Sequence, residues 1–246
     1  MKIELDFSKN ARANAADYYD SAKKFRKKAA GAAEALKKTR RAGLVVREAP
    51  AKAKKQKRKW FGEFHYFTAT GGFLVVAGKD AKQNELLVAK HLTDADLFFH
   101  ADVVGASTTI LKNGLRAPAA AKEEAAQWAC CYSRAWKTGL GSADAYCVPK
   151  AQVSKHSHGE FVGKGAFMIT GEREWFTNTP LELRVCLDAE NEVLAEPMRK
   201  PGKGTVLRPD GTAKDEVIGR LKKRFPKAAL DALAFAVPGA SAVQGE

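Results

Sequence analysis

The sequence predicts an α+β fold: a central, mostly antiparallel sheet of about six strands with packed helices, preceded by an N-terminal helical hairpin. Three observations predict it. Short β-branched and aromatic runs bounded by glycine recur in the middle of the chain, as at Phe73–Ala77 and Leu97–Ala101. Helical patterns lie among them without regular βαβ alternation, which argues against a doubly wound sheet. Ahead of them, apolar residues at Ala11, Ala15, Tyr18, Ala22, Phe25, Ala29, Ala32 and Leu36 alternate spacings of four and three, a heptad seam.

Taken in order, Ile3 and Leu5 alternate with polar residues and suit a short strand, and Ser8 is placed to cap the long helix, which ends near Gly43. Its alanines favour the helix but bury little area, so the seam calls for a close partner. Leu44 to Pro50 breaks it, and Ala51 to Trp60 reads as the return helix. The aromatics Trp60, Phe61, Phe64, Tyr66 and Phe67 follow. Trp60, Phe64 and Phe67 share a helical face, whereas Phe64, Tyr66 and Thr68 share a strand face; core packing is favoured over base stacking. Gly71-Gly72 is a turn into the strand Phe73–Ala77. Asp80 caps a helix from Ala81 whose face is Leu86, Leu87, Ala89 and Leu92. Strands follow at Leu97–Ala101 and Thr108–Leu111, then a turn at Lys112-Asn113-Gly114. Pro118 to Lys137 reads as one helix with an apolar stripe of Ala121, Ala125, Trp128, Cys131, Tyr132 and Ala135. Ala143–Val148 is a strand and Pro149–Gly165 a long polar loop. Further strands fall at Ala166–Thr170, Leu181–Leu187 and Glu192–Ala195. A basic loop, a basic helix at Asp215–Arg224 and a small apolar helix at Pro226–Ala236 close the chain, and Val237–Glu246 has the composition of a disordered tail. The expected segments are a basic hairpin over 1–59, an α+β core over 60–197 and a basic extension over 198–246.

Charge is segregated along the chain. Of a net +14, residues 21–60 carry 16 Lys/Arg against 2 Asp/Glu, residues 61–198 carry 13 against 17, and residues 199–227 carry 10 against 3. Basic flanks around a mildly acidic body imply a polyanionic partner, with nucleic acid before a membrane surface. No apolar stretch reaches the length of a bilayer span, and the first residues lack a secretory apolar core. Cys130, Cys131, Cys147 and Cys186 lack Cys-x-x-Cys spacing, so reduced thiols in a cytoplasmic protein are expected, with no zinc site, metal or cofactor.

Polar residues cluster at element ends around Gly78 to Ser107, where binding sites are usually built. Candidate nucleic-acid contacts there are Lys79, Asp80, Asn84, His100 and Ser107, and Gly78 and Gly105 suit close backbone approach or positive φ. Ser154 and Lys155 in the polar loop offer a hydroxyl and an ammonium to phosphate. Lys54, Lys55, Lys57 and Arg58 supply phosphate contacts on the arm. A metal-dependent nuclease using Asp80, His100 and Asp102 is the enzymatic alternative. Asp96 stands roughly 13 Å along a strand from His100, too far to share one ion with it. A scaffold binding DNA or a membrane surface through the arm is a further alternative.

Gly78-Lys79-Asp80 to Ser107 resembles the NFACT-R domain of the nuclear export mediator factor family of ribosome quality control proteins, with further matches, in order, at Trp60-Phe61 with Phe64, Ala129–Trp136, Gln152–Lys155 and Gly165–Gly171. Asn14–Lys24 resembles the entry to that family's coiled coil. The resemblance covers roughly residues 1–195. It implies a non-catalytic RNA-binding protein with tRNA or ribosomal RNA and the large ribosomal subunit as partners, together with a possible separate protein partner. It also implies a standalone form with a short coiled-coil arm and no NFACT-N domain.

Overall fold

The computed structural model describes residues 6–7, 10–41, 59–157, 160–161, 163, 165–188 and 191–244. The expected strand at Ile3 and Leu5, the Ser8 cap, the break at Leu44–Pro50, the return helix up to Arg58 and the cations Lys54, Lys55, Lys57 and Arg58 lie outside the described residues. Two compact units divide the chain, Met1–Lys57 and Arg58–Glu246.

Helix α1 (Ala11–Arg41) accounts for most of what is described in the first unit. Asn10 caps it, its Oδ1 accepting the Ala13 N–H at 2.8 Å. Phe25 and Leu36 of the heptad seam are exposed.

The second unit begins with β1 (His65–Ala69), β2 (Phe73–Ala77), α2 (Ala81–His91), β3 (Leu97–Ala101) and β4 (Thr109–Leu111). It continues with α3 (Ala119–Cys131), α4 (Arg134–Lys137), β5 (Ser142–Pro149), β6 (Val153–Ser154), β7 (His156–Ser157), β8 (Glu160–Phe161), β9 (Met168–Ile169) and β10 (Glu174–Pro180). The last elements are β11 (Leu183–Leu187), β12 (Val193–Pro197), β13 (Thr205–Pro209), α5 (Lys214–Arg224), α6 (Leu230–Ala236) and β14 (Ser241–Gln244). The fold class is α+β, as the sequence implies. Its main sheet has six strands in the order β1-β2-β4-β3-β5-β10, and every pairing is antiparallel.

Alternation along the strands sends Val75, Phe99, Ala101 and Cys147 to one face, against α3. Val76, Phe98, Ile110, Tyr146 and Val148 point to the other, where Leu87 and Leu92 of the α2 region pack. The stripe expected on α2 is shifted: Leu86 and Ala89 are exposed, and Asn84 with Leu87 is buried. Helix α3 is buried on nearly every side because it also meets a second sheet, β12-β11-β13-β14. Its polar groups are bonded accordingly. Glu124 accepts from the Thr70 N–H at 2.8 Å, and Gln127 donates to the Pro180 carbonyl at 3.0 Å.

Three expectations are corrected. The single helix Pro118–Lys137 is two helices, because the Ser133 hydroxyl bonds the Cys130 carbonyl at 2.7 Å and accepts the Ala135 N–H at 3.1 Å, breaking the ladder and capping α4. The polar loop Pro149–Gly165 holds the short strands β6, β7 and β8, two residues each. The tail is not without structure: Ser241–Gln244 pairs with β13, which lies in the segment read as a basic loop. The Tyr132 hydroxyl donates to the Ala236 carbonyl at 2.7 Å, and the Trp136 indole donates to the Ala240 carbonyl at 3.1 Å, so two aromatics of the α3–α4 region hold the C-terminal segment. Strand β10 is also absent from the sequence reading. Trp60 begins a turn, and Phe64 and Phe67 are core residues, as favoured.

Gly78, just past β2, donates to the Thr108 carbonyl at 3.0 Å, while the Asn84 carboxamide oxygen accepts the Thr108 N–H at 3.2 Å. A Cβ on residue 78 would sit 2.2 Å from that oxygen and 2.9 Å from the Asn84 backbone nitrogen. Gly78→Ala is therefore expected to destabilise the fold by about 1–3 kcal/mol. Chemical denaturation checks this, and a midpoint equal to that of the parent chain would show that the joint yields without cost.

Candidate nucleic-acid interface

A cleft of about 690 Å³ opens where the N-terminus of α2, the end of β3 and helix α4 converge. Its floor is aromatic. Phe98 and His100, two residues apart on β3, present parallel rings 6.3 Å apart and tilted by 7°. Tyr146 pairs with His100 across the β3–β5 ladder, their rings 5.9 Å apart. Phe167 stands edge-on to Phe98 at 6.0 Å from the segment Gly165–Ile169, which forms the roof. Lys79 and Asp80 line one side, Ser107 and the positive-φ Gly105 another, and Arg134 and Lys137 the third.

The cleft thus brings together five sequence-predicted residues: Lys79, Asp80, Asn84, His100 and Ser107. Asp80 also works locally, its carboxylate accepting the Gln83 N–H at 2.8 Å as the α2 cap. Burial lowers the His100 pKa below its ordinary value, with hydrogen bonds at Ala101 and Ala106 and the charge of Asp102 opposing, so the imidazole is neutral near pH 7. Ser107 is 8% exposed, and its hydroxyl has no hydrogen-bond partner among the described residues.

Ser154 and Lys155 stand apart from this group. Ser154 pairs with Met168 in the β6–β9 ladder. Lys155 is ion-paired with Glu85, its ammonium 5.2 Å from the Phe167 ring centroid, and the same carboxylate accepts the Gly165 N–H at 3.1 Å. Lys155 therefore fixes the segment that carries Phe167.

Arg134 and Lys137 are not among the contacts expected from the sequence. A second hollow of about 250 Å³ adjoins the cleft, shares Lys79 and Lys137 with it, and adds His65 and Lys214. The Lys79 ammonium lies 4.6 Å from the Phe235 ring centroid. Burial lowers the Lys214 pKa, and Lys137 lowers it further. Nothing in the sequence signals that residues 79, 137 and 214 meet.

Several cations elsewhere are matched. Arg199 pairs with Glu123 at 2.7 Å, Arg184 and Lys200 with Glu196, Arg208 with Glu182 at 2.5 Å and Arg220 with Glu216 at 2.9 Å. Much of the basic loop after Pro197 is thus engaged within the protein. Among the described residues, no carboxylate lies within ion-pair distance of Lys79, Arg134 or Lys137.

Asp96, weighed as a metal ligand, is fully buried and bonded to Lys112, to the Thr93 N–H at 2.7 Å and to the Asn113 N–H at 2.8 Å. Burial raises its pKa, but these bonds outweigh burial and hold the carboxyl below its usual value. Among the described residues, no group of three or more His, Cys, Asp or Glu is arranged to hold a metal ion, and no helix is long and apolar enough to cross a membrane. Cys130 and Cys131 are buried free thiols whose pKa values burial raises, that of Cys130 to about 12.

An antiparallel α+β unit with an aromatic-floored, cation-rimmed cleft belongs to the class of binding domains. Residues 63–171 match the family described as NFACT protein RNA binding domain, and the chain carries an NFACT-R domain. It is similar to the archaeal Rqc2 homolog aRqcH of Methanocaldococcus jannaschii, 38% identical over 186 residues, which is 72% of this chain and 28% of that protein. It is also similar to the ribosome quality control complex subunit NEMF homolog of Drosophila melanogaster, 34% identical over 75% of this chain and 20% of that protein. Human ribosome quality control complex subunit NEMF is 36% identical over 67% of this chain and 16% of that protein. The chain thus spans less than a third of the length of these relatives. Among solved structures, the C-terminal part of the fibronectin/fibrinogen-binding protein from Streptococcus suis matches 60% of this chain and 55% of that one, with a TM-score of 0.41 and 22% identity.

His65, at the second hollow, stacks on Tyr132 at 4.1 Å, and its pKa is lowered to about 3 by burial and by the charges of Lys79 and Lys214. The unfolded chain takes up that proton near 6.5, so it holds more protons than the folded chain between these values. Stability should therefore fall as pH drops from about 6.5 toward 3, by up to about 1.4 kcal/mol per pH unit from this one group. His91 and His100 act in the same direction. The check is the difference in slope between the parent chain and His65→Phe: a shallower slope is expected in the variant, and identical slopes would show that His65 is not held neutral.

Proposed function

We propose that the chain is a non-catalytic, cytoplasmic RNA-binding protein that engages tRNA or ribosomal RNA on the large ribosomal subunit during ribosome-associated quality control. The observation that carries this reading is the convergence of Lys79, Arg134 and Lys137 on one cleft, with no carboxylate among the described residues within ion-pair distance of them. Like charges gathered without counter-charges repel one another, and a phosphate backbone relieves that repulsion. The match to an RNA binding domain and the names of the similar proteins support the class of partner. In this reading, phosphates contact Lys79, Arg134, Lys137 and the arm cations Lys54, Lys55, Lys57 and Arg58. Asn84, His100 and Ser107 face the bound RNA, Asp80 sets the start of α2, and Ser154 and Lys155 act behind the cleft by holding its roof. The nuclease alternative would need Asp80 to hold a metal while its carboxylate also accepts the Gln83 N–H as the α2 cap.

Measuring RNA affinity against salt tests the reading. Log K should fall steeply with log salt, and alanine at Lys79, Arg134 or Lys137 should each reduce the slope by about 1 while leaving the thermal midpoint nearly unchanged. Lys155→Ala should lower stability and leave the slope as it was. A flat salt plot, or a slope indifferent to the three substitutions together, would remove the proposal.

A further inference from the structure

We infer that the cleft receives an unpaired nucleobase, so that this surface selects a loop, bulge or free end over continuous duplex. The inference rests on the RNA-binding reading and specifies which part of an RNA the site takes. A backbone-led interface needs cations and hydrogen-bond donors, but it has no use for a recessed aromatic floor. Here half-buried His100 faces the cleft with the buried rings of Phe98 and Tyr146 packed beside it, and Phe167 is carried over them on a segment tied down by Lys155 and Glu85. Flat apolar surface beneath a cationic rim is the arrangement in which a base stacks while its phosphates stay at the mouth. The 690 Å³ volume lies within the roughly 300–1,000 Å³ typical of sites that enclose a small ligand.

The cleft also holds an unanswered polar group. Ser107 is more than nine-tenths buried, lines the cleft, and has a hydroxyl without a partner. A buried hydroxyl left unbonded is costly, and a group that both donates and accepts can meet the edge of any base. The Asn84 carboxamide stands beside it with its oxygen already engaged by Thr108. In A-form duplex the base edges are paired and the rings stacked, so neither floor nor hydroxyl is reached; an unpaired nucleotide reaches both.

The experiment measures binding of the full chain to three RNA hairpins: one with a single bulged 2-aminopurine, one with an abasic site at the bulge, and one fully paired. The bulged-base hairpin is expected to bind about tenfold more tightly than the other two, with its fluorescence quenched on binding. Ser107→Ala removes only the unpartnered hydroxyl. It should leave the melting temperature unchanged or raised, weaken the bulged-base complex about fivefold, and leave the abasic complex untouched. Phe167→Leu, which retains apolar bulk, should narrow the preference in the same way. Equal affinity for all three hairpins overturns the inference while leaving RNA binding intact, as does a preference for the bulged base that survives both substitutions. Failure to bind any of the three overturns the RNA-binding reading and this inference with it.

Discussion

The hydrogen bond from the Thr108 N–H to the Asn84 carboxamide fixes the joint at the head of the cleft. The end of β2 and the start of β4 lie side by side through the Gly78–Thr108 hydrogen bond, and the Asn84 carboxamide, one turn into α2, accepts from the same Thr108. No side chain fits at residue 78, so the helix presses directly on the strand ends. That closeness puts Lys79 and Asp80 at the start of the helix, opposite Ser107 and Gly105 in the turn before β4. The rest follows from the pleat: once α2 covers Val76, Ile110 and Phe98, the next residue of that face on β3 is His100, left at the edge of the covered area beside Tyr146.

Electrostatics then separates the cations into two populations. Arg184, Lys200, Arg199, Arg208 and Lys155 are matched to carboxylates, and each such pair at the surface contributes little on its own. Their charge is offset within the protein, whereas Lys79, Arg134 and Lys137 gather at one cleft with no carboxylate among the described residues within ion-pair distance. A net charge of +14 says only that a polyanion is favoured. Where a polyanion would lie is a matter of which cations have no partner, and no count of lysines reveals that.

This contrast bears on how far the sequence could be read. The local signals were legible: the Asp80 cap, the Gly71-Gly72 turn, the strands Phe73–Ala77 and Leu97–Ala101, and five cleft residues within one 30-residue stretch. What escaped was set by distant contacts. Strand β10 is an edge strand with a bulge at Thr177 and Asn178, and its polar, Thr-rich run carries no buried alternation. Strands β13 and β14 owe their existence to pairing with β11 and to the bonds from Tyr132 and Trp136, more than 100 residues away. Lys137 and Lys214 meet for the same reason. Ser133 stops a helix that helical propensity alone would continue. The acid partner of Lys155, Glu85, stands 70 residues earlier in the chain, so that ion pair was not legible either.

The central claim is that RNA lies in the cleft between α2 and α4. Crosslinking bound RNA to the full chain with ultraviolet light and mapping the modified peptides tests this most directly. The account predicts crosslinks at His100 or Phe167 and in the peptide containing Arg134 and Lys137. Crosslinks confined to the segment around Lys54–Arg58, with none in the cleft, would contradict it.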